Sequence, residues 1–71
     1  MNREIAKMIV DLMLRQGREL DDSVRAVQSS EGAEEFNRYR LAVGRIMGEM
    51  LLEVMNPIFD EYPDLKPPQL R

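Results

Sequence analysis

The sequence predicts an all-α protein: an antiparallel helical hairpin that pairs with a copy of itself into a homodimeric four-helix bundle, followed by an extended, proline-rich C-terminal tail. Three observations point there. Two long segments carry apolar residues at helical spacing, separated only by a short polar break at residues 28–32 (Gln-Ser-Ser-Glu-Gly). The second segment is apolar around more of its girth than one neighbouring helix covers. A chain of 71 residues also sits near the size limit for a self-sufficient core, so a staple is expected. There is no cysteine and no histidine. Disulfides and thiolate or imidazole metal sites are therefore excluded, and oligomerisation is the staple that remains.

The first helix is expected over about residues 3–28. Ile5 is set at zero and each residue advances by about 100°. Ile5, Met8, Ile9, Leu12, Met13, Leu20, Val24 and Val27 then share an arc from about 300° to 100°, with charges opposite. Val10 lies at the edge and Leu14 lands among the charges. Gly17 is a soft point, but the apolar period continues beyond it, so one helix is expected.

At the break, Ser30 stands before Glu31, Glu34 and Glu35. A serine can cap orphan amides, and acids suit the positive end of a helix dipole. The second helix is therefore expected over about 31–61, antiparallel to the first because the connection is so short. With Phe36 at zero, Tyr39, Val43, Ile46, Met47, Met50, Leu51, Val54 and Ile58 span about 280° to 60°, an ordinary core stripe. Leu41, Gly44, Gly48, Leu52, Met55 and Phe59 form a second group from about 80° to 160°. Together they cover roughly two-thirds of the circumference, where a surface helix of a monomer needs a stripe of only about 100°.

Those six residues are the expected dimer interface. Glycine costs about 1 kcal/mol against alanine inside a helix, and two of them one turn apart suit the close approach of another backbone. The Gly44-x-x-x-Gly48 spacing is chiefly a membrane-helix motif, and it is weaker evidence in a soluble helix. Asn56-Pro57 predicts a kink. Pro63 ends the helix, and residues 63–71 are expected to run extended, with Leu65 and Leu70 strapping the tail to a hairpin domain of residues 1–62.

The chain is poorly equipped for chemistry. Ser23, Ser29 and Ser30 have no imidazole to activate them. Glu49 and Glu53 share a helix face but point away from the core stripe, and di-metal bundles need a Glu-x-x-His unit that cannot exist here. No catalytic, metal or cofactor residues are expected. The methionines Met8, Met47 and Met50 fall in core stripes and read as core filling rather than as an adaptable partner groove.

A net charge of −3 opposes a nonspecific grip on phosphates. Arg38 and Arg45 nevertheless project the same way, seven residues apart. They support a second reading in which exposed bundle arginines contact nucleic acid or a partner. No stretch approaches the roughly 18–20 apolar residues of a membrane span, and the charged start does not resemble a secretory leader. The expected function is that of a small, non-catalytic, cytoplasmic interaction or regulatory module, partnered by itself and by another protein through its dimer surface.

Overall fold

The computed structural model describes residues 1–70, and they form an all-helical hairpin with no strand among them. Helix α1 spans Arg3–Ser30, α2 spans Ala33–Glu49, a π-helical segment covers Met50–Met55 and α3 spans Asn56–Glu61. Two 3-10 turns follow, at Pro63–Leu65 and Pro68–Leu70.

The start of α1 is capped by Asn2, whose side chain accepts the Ile5 amide at 2.9 Å. Gly17 does not interrupt the helix, because packing along its whole length outweighs the local cost of one glycine. Ser30 does not cap the second helix. The Ser29 and Ser30 hydroxyls donate back to the carbonyls of Arg25 and Ala26 at 3.0 and 2.9 Å, which holds them inside α1. Gly32 becomes the N-cap of α2, without a side-chain bond, and Glu34 and Glu35 occupy its first turn.

The helical rod from residue 33 to 61 is continuous, but its irregularity lies before Pro57. The Asn56 amide bonds the Leu51 carbonyl, five residues back. A proline inside a helix has no N–H to give, and its ring crowds the carbonyl four residues earlier, here that of Glu53. Widening the preceding turn relieves that crowding, and Asn56 stays α-helical at φ −59, ψ −44 even though a proline follows.

A π turn inserts one extra residue, which sets everything beyond it back by about 100° of helical arc relative to an unbroken α-helix. Met55 and Phe59, expected at about 100° and 140°, thereby swing to about 0° and 40°, the centre of the core stripe. They are buried there with Ala6, Val10 and Ile58. The chain's own core thus removes Met55 and Phe59 from the interface the sequence outlines.

Helix α1 is also turned relative to expectation. Ala6 and Val10 are its most hidden residues, Leu14 packs half-buried against the core, and Ile5 and Met8 are exposed. Small side chains at the line of closest approach let two helices draw together, while bulkier neighbours fill the sides.

The tail is folded rather than polyproline-like. The Leu65 amide bonds the Tyr62 carbonyl at 3.0 Å, and that of Leu70 bonds Pro67 at 2.9 Å. Proline's fixed φ suits the first position of a tight turn as well as an extended chain. Leu65 packs on the core, as a strap would. Arg71, the last residue of the expected tail, lies outside the described residues. Two contacts 61 residues apart in sequence tie the tail to the start of the chain: the Tyr62 hydroxyl donates to the Met1 carbonyl at 2.8 Å, and Arg3 pairs with Asp64.

The result is long and thin, 44 × 20 × 16 Å, with a radius of gyration of 14.3 Å. A compact domain of this length has a radius of about 11 Å.

Candidate interaction surface

Two leucines on the outer side of α2 and its π extension stand in solvent. Leu41 is 54% exposed and Leu52 61%. Gly44 and Gly48 lie between them. A Cβ on either glycine would meet nothing within 4 Å, so packing inside one chain gives no reason for the missing side chains. By contrast, a Cβ at Gly17 would make ordinary contact with the Met47 methyl at 3.7 Å. Of the six expected interface residues, Leu41, Gly44, Gly48 and Leu52 therefore remain on an uncovered strip.

Arg45 and Glu49 flank that strip four residues apart, and neither holds an ion pair among the described residues. Within one helix an arginine placed N-terminal to a glutamate is the weaker orientation, which accounts for their staying apart. Arg38 is paired with Glu35, and Arg40 lies over the Phe36 ring, 5.9 Å from its centre. The basic stripe expected from Arg38 and Arg45 thus has one of its two charges neutralised locally.

Beside the strip, α1 and α2 part to leave a groove of about 480 Å³. Met13, Met47, Met50 and Met55 line it, with Leu14, Leu51 and the tail's Leu70. Gly48 belongs to both groove and strip. The helical wheels place Met47 and Met50 in the core stripe and Met55 in the expected interface, and only the pairing of the helices brings these three into one cleft with Met13 of α1. A smaller apolar exposure sits on the opposite edge of α1, at Ile5 and Met8.

Among the described residues, no group of three or more carboxylates could hold a metal ion, and no helix is long and apolar enough to cross a membrane. No protein-family model, curated protein or solved structure matches the chain. Function has to be read from this surface.

Proposed function

We propose that the chain is a small, cytoplasmic, non-catalytic interaction module that works as a homodimer, two hairpins forming a four-helix bundle. The observation that supports this is the thinness of the core against the apolar surface left outside it. Among the described residues six apolar side chains are buried, while Met1, Ile5, Met8, Leu41, Ile46, Leu52 and Leu70 are exposed. The accessible surface is 5152 Å². A compact protein of this mass exposes about 4,600 Å², so the excess is about 550 Å². Each partner in a standard protein interface contributes about 800 Å², the same order as that excess.

Mass in solution tests the proposal. Light scattering across a dilution series should give twice the chain mass of 8.3 kDa at high concentration, falling toward 8.3 kDa on dilution. Gly48→Leu separates assembly from folding. The single hairpin has open space at that position, so helix content should be kept. A helix crossing at Gly48 would be forced apart, and the dimer should be lost. A chain that remains 8.3 kDa and well folded at high concentration would refute the homodimer.

A further inference from the structure

Resting on the homodimer reading, we infer a specific pairing. The α2 helix crosses its own copy antiparallel about a twofold axis near residues 46–47. Leu41 meets the partner's Leu52, Gly44 meets the partner's Gly48, and Arg45 faces the partner's Glu49.

The uncovered leucines, not the glycines alone, define this face. Leu41 and Leu52 are among the most exposed large apolar residues of the chain. Leu41, Gly44, Gly48 and Leu52 lie along one strip, at about 80° to 160° on the α2 wheel. Leu52 stays on it because the π segment has only begun at Met50. An isologous interface requires that where residue i meets j, j also meets i. The order large, small, small, large meets that requirement: the pairs 41/52 and 44/48 share a midpoint near residue 46. Antiparallel crossing then sets leucine on leucine at both ends and glycine on glycine in the middle. There the axes can reach the near end of the usual roughly 8–10 Å separation.

The charges select the direction. A twofold antiparallel crossing places the same flank of each helix face to face, so Arg45 and Glu49 exchange partners across the axis, twice. In a parallel pair, like charges stand at the same height. Neither residue has an ion pair among the described residues, so the crossing breaks no ion pair among them.

The absence of cysteine makes cross-linking a clean test. Leu41→Cys and Leu52→Cys chains are prepared separately, then mixed under mild oxidation. The two positions lie about 16 Å apart along the helix, and a disulfide needs Cα atoms within about 7 Å. A covalent dimer should form in the mixture and in neither chain alone. A second measurement uses charge. Arg45→Glu and Glu49→Arg should each weaken dimerisation roughly tenfold, two pairs being altered, and the double exchange should restore it. A homodisulfide in either chain alone overturns the pairing in favour of a parallel one. A dimeric wild-type mass with no mixed disulfide and no rescue by the double exchange also overturns it, and turns attention to the Ile5 and Met8 edge. A wild-type chain that is monomeric throughout removes the homodimer itself.

Discussion

The two ends of the hairpin are built differently. Where the chain's start meets its tail, three segments share one core: α1 gives Ala6 and Val10, the end of the π segment and α3 give Met55, Ile58 and Phe59, and Tyr62 and Leu65 pack against them. At the end where the helices turn, only two rods touch. Val43 is the one buried residue of α2 and stands outside that cluster. A hydrogen bond between Ser23 and Tyr39, the Arg40–Phe36 contact and short-range ion pairs such as Arg25–Asp22 supply the rest. Two helices in contact share a single line, and a third element is what turns a line into a core. The strip from Leu41 to Leu52 begins on the thin half, the half with most to gain from a partner.

Single substitutions measure the contrast. Phe59→Ala should have the largest effect, a loss of about 3–5 kcal/mol, read from the urea unfolding midpoint. That is most of the stability expected of so small a domain. Val43→Ala removes two buried methyl carbons and should cost about 2 kcal/mol. Equal losses at the two positions would erase the distinction between the ends. Tyr39→Phe should cost about 1 kcal/mol. The Ser23 hydroxyl has one hydrogen, which goes to the Leu20 carbonyl at 2.6 Å, so the Tyr39 hydroxyl must be the donor to Ser23 at 2.7 Å. Hydrogen exchange should show that loss as faster opening around residues 20–43, with the protection of α3 unchanged.

The helical hairpin was legible from the sequence. Apolar spacing located both helices and carried the first through Gly17, because those features depend only on local periodicity, and the short connection made the helices antiparallel. The phase of the rod beyond Met50 was not legible. A wheel assumes a constant step, and Pro57 announces a disturbance without saying which earlier carbonyl gives way. Met55 and Phe59 were misplaced for that reason, while Leu41, Gly44 and Gly48, upstream of the shift, kept their positions. The turn of α1 was hidden because alanine contributes little to an apolar pattern, yet Ala6 marks the closest approach. The tail was ambiguous because proline fits two conformations, and a cleft between two helices is invisible to the pattern of either one alone.

The widened turn ahead of Pro57 leaves the second rod one residue longer than an unbroken α-helix would need to aim α3 as it does. Loss of an amino acid elsewhere in that rod would spin Met55, Ile58 and Phe59 away from α1 by about 100°. Loss of one between Met50 and Met55, once the proline is also replaced, would simply straighten the helix and leave their aim intact. The chain carries slack at this point, and a length change that would ruin most helices of this kind can be absorbed there.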